Sequence, residues 1–268
     1  ERLNRLYQVL SGTNEAVVRS QSDSDLFLAA CRVAVERGGF LLAAVVAPEA
    51  VTGRVRPLVH FGDDSGYFNE IHVNIDDEKL KHGTSATAMR TGRHDVCNDV
   101  GTEPRMAPWR EQTQRRGFRA SAAFPLMLDG SVFGALVLFA GEPGYFQQDE
   151  VDLLVRVAGD VSFAVSHLRR ESQRRATQEA LVRSEQQNKL ILQSVGEGIL
   201  GVDTAGCVTF ENPAALAMLG WVGHTLVGRD VHEVLYGPGA VCPGNACPFA
   251  KTMRDGLLLR VPDDMFVQ

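Results

Sequence analysis

The segment VGEGILGVDTAGCVTFENPAALAML, residues 195–219, decides how the second half of the chain folds. Two apolar stretches in it are separated by a turn that contains Asp203 and Gly206. The sequence Asn-Pro-Ala-Ala follows the second stretch. Asn212 suits a helix cap because its side chain can accept from free backbone N–H groups, and Pro213 suits the first helical position. The segment therefore predicts a strand, a turn, a second strand and a helix.

A long helix is predicted directly before this segment. Residues 147–194 contain no proline and only Gly159, and the first half has apolar residues at helical spacing. The second half is mostly charged, with a thin apolar stripe that a partner helix can cover. We therefore predict a parallel homodimer through this helix, with Val161, Leu168 and Val182 in the interface. An ordinary solvated linker is the alternative.

The first 140 residues alternate between helix and strand patterns. The patterns predict helices over residues 3–17, 24–37, 84–90 and 109–116, and strands over 40–46, 55–61 and 70–75 and before Cys97. A hairpin is the strongest local prediction. Residues 119–128 and 131–140 are rich in strand formers, and the dipeptide Asp129-Gly130 between them suits a tight turn.

The composition limits the class of protein. A chain of 268 residues suggests about two domains, and 44% hydrophobic and 22% charged residues are typical of a globular protein. A net charge of -6 argues against a nucleic-acid partner. There is no apolar run of the length that crosses a membrane, and five sparse cysteines do not resemble a secreted disulfide framework. We expect a cytoplasmic location, with no membrane partner.

Residues 1–168 resemble a GAF domain. The resemblance rests on five stretches in order: GGFLLAAVV, HFGDDSGYF, TAMRTGRHDVCNDV, APWREQTQRRGFRASAAFPL and DGSVFGALVLFA. It implies an antiparallel sheet with helices packed on one face. A ligand pocket is implied on the other face, beneath the loops of residues 62–117.

Residues 187–268 are similar to the first two-thirds of a PAS domain, through the segment above and LVGRDVHEVL at residues 226–235. The last three strands of a PAS sheet should follow Phe266, so we expect an incomplete domain. The whole chain then has an α+β fold: a GAF domain, a long connecting helix over residues 147–194, and a PAS-like domain. The two resemblances together imply the sensory region of a bacterial multidomain signalling protein. Its C-terminal output domain would act in cyclic-di-GMP turnover or as a histidine kinase.

The resemblance to GAF domains also indicates where an unidentified small molecule would bind. Six residues are the candidates for contact with it: His60, Tyr67, Cys97, Trp109, Phe118 and Phe124. An apolar cavity with a few polar groups would take a small planar or aliphatic molecule. The alternative is that the aromatic residues only fill the core. The sequence does not identify a cofactor.

Four histidines in the pocket region keep heme or metal binding open as an alternative: His60, His72, His82 and His94. Metal sites usually place their ligands at recognisable spacings, such as two histidines four residues apart on a helix. These histidines do not show such a spacing. We therefore predict no metal site.

The cysteines decide between sensing and catalysis. GAF-fold enzymes that reduce free methionine sulfoxide use reactive cysteines, but the GAF-like region has only Cys31, on the apolar side of a helix, and Cys97, at a strand end. A core cysteine is usually inert, so we predict no enzyme. Cys242 and Cys247 flank a Gly-Asn turn and are redox candidates, although a packed turn is favoured. The alternative function is a redox sensor based on cysteine, metal or heme, or a GAF-fold reductase.

Overall fold

The computed structural model describes residues 2–221 and 223–239. It divides into two compact units, with the boundary between Arg175 and Ala176. Cys242, Cys247 and the helix expected at residues 248–254 lie outside the described residues. Within the described ranges, the helices are all too short or too polar to cross a membrane.

The first unit is built on a five-stranded sheet in the order β2-β1-β5-β4-β3, with antiparallel neighbours throughout. Its strands are β1 Leu42–Pro48, β2 Val55–Gly62, β3 Asp95–Cys97, β4 Ala120–Leu128 and β5 Ser131–Ala140. The predicted hairpin is confirmed as β4 and β5. Its turn residues Asp129 and Gly130 have φ of 47° and 83°, the left-handed backbone that a tight hairpin turn requires.

Three helices cover one face of this sheet, called here the helix-covered face: α1 Arg2–Arg19, α2 Asp23–Glu36 and the first part of α6 Gln148–Ser194. Ser22 caps α2, because its side chain accepts from the N–H of Asp25. The strands contribute alternate residues to this core, such as Val45 from β1 and Leu138 from β5. This alternation is the period of two that a strand imposes on its side chains.

Shorter elements cover the opposite face, called here the cavity face: α3 Tyr67–Glu70, α4 Thr84–Thr91, a 3-10 helix Pro104–Trp109 and α5 Arg110–Arg115. The strand predicted over residues 70–75 is wrong, since this segment makes only one isolated bridge, Arg54 to Asn74. The Asn74 side chain explains the error. It accepts from the N–H groups of Asp76 and Asp77, which bends the chain into a turn instead of a ladder.

The predicted long helix is confirmed as α6, which has 47 residues. In the first unit its buried residues end at Val165. Val161, which we assigned to a dimer interface, is fully buried in the core of its own unit, so that assignment is corrected. Leu168 packs at the edge of the same core, whereas Val182 is exposed.

The second unit contains the predicted strand, turn, strand and helix: β6 Leu200–Val202, β7 Val208–Glu211 and α7 Pro213–Met218, followed by α8 Val231–Tyr236. Asn212 is fully buried and caps α7 through the N–H of Ala215 at 2.9 Å. The same side chain also accepts from the N–H of Ile199 and donates to the carbonyl of Glu197 at 2.8 Å. Asn212 thus joins the start of α7 to the chain that enters β6.

Candidate ligand-binding site

A cavity lies on the cavity face of the first unit. The cavity has a volume of about 40 Å³, measured as the space open to the centres of water molecules. The strands supply the floor, and the elements between residues 67 and 109 supply the walls. The lining consists of Val46, Val55, Pro57, Tyr67, Phe68, Ile71, Val73, Gly83, Thr84, Ser85, Met106, Trp109, Ser121, Val137 and Phe139.

Trp109 is the largest wall residue and is held at two points. Its indole Nε1 donates to the carbonyl of His72 at 2.7 Å. The 3-10 helix that carries it is tied to β3 through Arg105, which donates to the Asp95 carboxylate at 2.6 Å. A Cβ at Gly83 would lie 3.1 Å from the Trp109 ring. Glycine at that position therefore allows the indole to lie against the start of α4.

The polar part of the lining lies at the start of α4. Thr84 and Ser121 face each other across the cavity floor, with their hydroxyl oxygens 3.1 Å apart and buried. Ser85 is also buried. The α4 helix begins after Gly83 without a side-chain cap. Since the first N–H groups of a helix lack intrahelical acceptors, this end offers donors to the cavity.

A second wall is formed by the lid segment, which we define as residues 63–70 and which includes α3. Arg116 holds it from below with a guanidinium that is only 6% exposed. Its Nε donates to the carbonyl of Asp64 at 2.9 Å, and its Nη2 donates to the carbonyl of Ser65 at 2.8 Å. The same Nη2 lies 2.9 Å from the carboxylate of Glu70. We call this set of contacts the Arg116 latch.

Tyr67 is the lid residue that reaches deepest. Its ring packs edge-on against Phe118 at 5.4 Å and Phe139 at 5.3 Å, and the Arg116 guanidinium lies 5.6 Å from the ring centre. Burial raises the pKa of the Tyr67 hydroxyl, and the charge of Arg116 opposes this only in part. The hydroxyl therefore stays protonated at neutral pH. It can serve as a hydrogen-bond donor toward the cavity.

Two of the six predicted contact residues, Tyr67 and Trp109, line the cavity. Phe118 lies behind Tyr67 and supports it. His60 is exposed and packs its ring against Phe68 at 5.3 Å, so it lies at the rim. Cys97 is buried in a separate cluster beside Trp109.

Phe124 does not reach the cavity, and its predicted role is corrected. It is fully buried in the core of the helix-covered face. In the β4–β5 register it pairs with Leu136, whereas the cavity residues Val137 and Phe139 lie at the alternate positions of β5. The side-chain period of two therefore places Phe124 on the other side of the sheet.

Sequence reasoning missed most of the apolar floor and the start of α4. The pairing of Ala123 with Val137 and of Ser121 with Phe139 fixes which residues of the hairpin share a face. Counting alternate residues outward from the Asp129-Gly130 turn would predict in part which hairpin residues face the cavity. A register irregularity between Leu126 and Met127 interrupts that count.

The described cysteines and histidines are not arranged for chemistry at this cavity. Burial raises the pKa of Cys31 to about 12 and raises the pKa of Cys97, so both thiols are held in the protonated, weakly nucleophilic form. His72, His82 and His94 are exposed. In the described part of the chain, His, Cys, Asp and Glu residues do not gather in groups of three that could hold a metal ion.

Comparison with known families agrees with this architecture. Residues 20–166 match the model of the GAF domain, and residues 186–238 match the model of the PAS fold. The chain belongs to the GAF domain family, and a partial PAS fold follows the GAF domain. Curated proteins gave no match to the chain.

Two solved structures share the fold of the first unit. One is a free methionine-R-sulfoxide reductase from Neisseria meningitidis in complex with its substrate, at 14% identity and a TM-score of 0.53, covering 64% of this chain and 94% of that one. The other is the GAF domain of a phosphoenolpyruvate-protein phosphotransferase from Coxiella burnetii, at 13% identity and a TM-score of 0.53, covering 65% and 99%. At these identities the likeness concerns the fold alone.

Proposed function

We propose that the chain is a sensory region in which the GAF cavity binds a small molecule and reports its presence to the rest of the protein. GAF and PAS domains are sensor domains of signalling proteins. The cavity on the cavity face is the observation that carries the proposal, since it combines apolar walls with a few converging polar groups. Ligand binding would favour one arrangement of the lid segment over another and so shift a conformational equilibrium.

We favour a cavity that binds its ligand without converting it chemically. A reductase of the methionine sulfoxide type needs a reactive thiol at its ligand. Cys97 lies outside the cavity lining and is protonated, and Cys31 is buried on the opposite face of the sheet. A redox role for Cys242 and Cys247 stays a prediction, because both lie outside the described residues.

The signal would leave the first unit through α6 in a homodimer. The predicted stripe is revised for this purpose, because Val161 is not available to a partner. Phe163 is 73% exposed and Val155 is 42% exposed, and these residues lie eight apart on one side of the helix with Gly159 between them. These two residues are the ones that we assign to a parallel helix partner. Val182 lies about 100° away from Phe163 around the helix, so it belongs to the stripe predicted from the sequence and not to this one.

The output that this region would control is a separate C-terminal domain, either an enzyme of cyclic-di-GMP turnover or a histidine kinase. We propose a cytoplasmic location, with neither nucleic acid nor membrane as a partner. The net charge of -6 supports the absence of a nucleic-acid surface. These assignments follow from the sensor domains, by analogy with multidomain signalling proteins.

Mass spectrometry of molecules that copurify with the chain, together with an absorption spectrum, tests the sensory role. We expect a small metabolite that is released on denaturation and raises the melting temperature when added back. Binding should occur in the first unit and protect Trp109 from acrylamide quenching. Trp221 is the other of the two tryptophans, so Trp221→Phe leaves Trp109 as the single reporter.

Substitution of Gly83 separates a cavity ligand from one bound elsewhere. Gly83→Val places methyl groups against the Trp109 ring and should abolish binding. Gly141→Val is the glycine control on the same unit, since Gly141 lies outside the cavity lining and the nearest atom that a Cβ there would meet is at the flexible end of the Leu41 side chain. A metabolite that binds equally to both variants, or that leaves the quenching of Trp109 unchanged in the chain carrying Trp221→Phe, would contradict the proposal.

A further inference from the structure

The geometry points to a class of ligand: a small monocarboxylate with an uncharged apolar body, held with its carboxylate at the start of α4. This inference rests on the proposed function, because it names what the GAF cavity binds. Three observations carry it. They are the open helix end, a hydroxyl on a buried serine that has no protein partner, and the absence of charge in the lining.

The open helix end supplies the first observation. Gly83, Thr84 and Ser85 all line the cavity, and α4 begins there without a side-chain cap. The unpaired N–H groups of a first helical turn, together with the helix dipole, attract an anion. An acceptor oxygen placed here would accept hydrogen bonds from N–H groups that have no acceptor within α4.

The Ser85 hydroxyl is an independent observation. The residue is only 9% exposed and lines the cavity, and among residues 2–221 and 223–239 its hydroxyl finds no hydrogen-bond partner. The hydroxyl itself is not sealed inside the protein and borders the cavity, so a ligand oxygen in that space can supply the partner that the protein does not. Thr84 and Ser121 are paired only with each other and keep further hydrogen-bonding capacity toward the same space.

The rest of the lining indicates which charge the ligand carries and that the remainder of the ligand is apolar. None of the fifteen described residues that line the cavity is acidic or basic, and most are apolar. An ammonium group would lose its hydration here without meeting a carboxylate, and the helix end would repel it. This arrangement disfavours amines and zwitterionic amino acids. It favours an apolar chain beside Ile71, Met106 and Trp109.

The size of the cavity sets the length of the chain. A volume of about 40 Å³ for water centres corresponds to about three water molecules, which suits an acid of about four carbons. Butyrate is therefore the probe, with three comparison compounds of similar size. Butyramide keeps the acceptor without the charge, butylamine reverses the charge, and 2-aminobutyrate adds an ammonium group to the same acid.

Titration of the full chain carrying Trp221→Phe, followed by Trp109 fluorescence and calorimetry, compares the four probes. We expect butyrate to bind about tenfold more tightly than butyramide, because a hydrogen bond to a charged group is stronger than one to a neutral group. Butylamine and 2-aminobutyrate should not bind. Ser85→Ala should weaken butyrate binding about fivefold to tenfold, whereas Thr87→Ala, on the next turn of α4 and outside the lining, should change it less than about twofold.

The class is wrong if butylamine or 2-aminobutyrate binds as well as butyrate, if Ser85→Ala leaves butyrate binding unchanged, or if all four probes fail. These failures leave the sensory proposal intact when a copurified molecule without a carboxylate still protects Trp109. If butyrate does not bind and the copurified molecule binds outside the first unit without protecting Trp109, the inference and the proposed function are both overturned.

Discussion

The two faces of the five-stranded sheet are built by different means. On the helix-covered face, α1, α2 and α6 bury one continuous apolar core. On the cavity face, short elements pack on a smaller apolar cluster, leave a void, and are also held by polar contacts to backbone atoms, such as those from Arg116 and Trp109. Apolar burial over a large area gives the first face its stability. Directional bonds give the second face a defined shape that a ligand can alter.

The largest expected difference between the faces comes from truncating one phenylalanine on each. Phe124→Ala removes a fully buried ring from the helix-covered face and should cost about 3–5 kcal/mol of unfolding free energy. Phe139→Ala should cost less, about 2–3 kcal/mol, because part of that ring faces a void and has fewer contacts to lose. Denaturant unfolding followed by Trp109 fluorescence, with Trp221→Phe present, measures both. A larger cost for Phe139→Ala would break the contrast between the faces.

The next effect concerns the Arg116 latch. Arg116→Gln removes three contacts to the lid segment from a guanidinium that is only 6% exposed, and should cost about 2 kcal/mol. It should also raise acrylamide quenching of Trp109, since the lid is a wall of the same cavity. Arg119→Gln is the neighbouring control, since its exposed side chain makes no hydrogen bond or ion pair among the described residues and should contribute less than about 0.5 kcal/mol. Equal quenching in the two variants would show that the latch does not hold the lid.

A third prediction concerns the helix-covered face. It tests whether exposed apolar residues on the outer side of α6 bind a second copy of the chain. Phe163→Ser should weaken the homodimer about tenfold or more, because the ring is 73% exposed and has little to lose inside its own unit. Sedimentation at several concentrations gives the dissociation constant, and the unfolding free energy of the monomer should stay within about 0.5 kcal/mol. Val155→Ser should show a smaller effect in the same direction. A chain that is monomeric before substitution at tens of micromolar would exclude this surface.

The smallest effect is a pH dependence of the lid. The hydrogen bond from Arg116 lowers the pKa of Glu70 below its ordinary value of 4.5. A carboxyl group with a depressed folded pKa adds stability above its unfolded pKa, and that stability is lost as the pH falls through the folded pKa. Glu70→Gln should therefore be slightly less stable than the parent at pH 7. The difference should shrink as the pH falls below 4.5 and vanish once the pH lies below the depressed folded pKa. A difference that persists at acid pH would mean that Glu70 contributes through packing and not through its charge.

Local sequence determined the elements whose signals are local. Asn212 and Pro213 start α7 as predicted, because capping depends on a few adjacent residues. Asp129-Gly130 determines the hairpin, because few residues adopt the backbone of its turn. The proline-free stretch before Val195 determines the long helix for a similar reason. Asn74 shows the limit, since its side-chain turn replaced a ladder that the strand pattern of residues 70–75 predicted.

The site depended on tertiary structure to a much greater degree. The sequence placed Phe124 and Tyr67 in one pocket, but the register of β4 and β5 puts them on opposite faces of the sheet. The buried state of Val161 and the exposure of Phe163 follow from where α6 meets the sheet. The start of α4 became a candidate site because the fold brings it to a void where Ser85 has no described partner. Face, burial and the pairing of polar groups are set by contacts between residues far apart in the chain, whereas caps and turns are set by neighbouring residues.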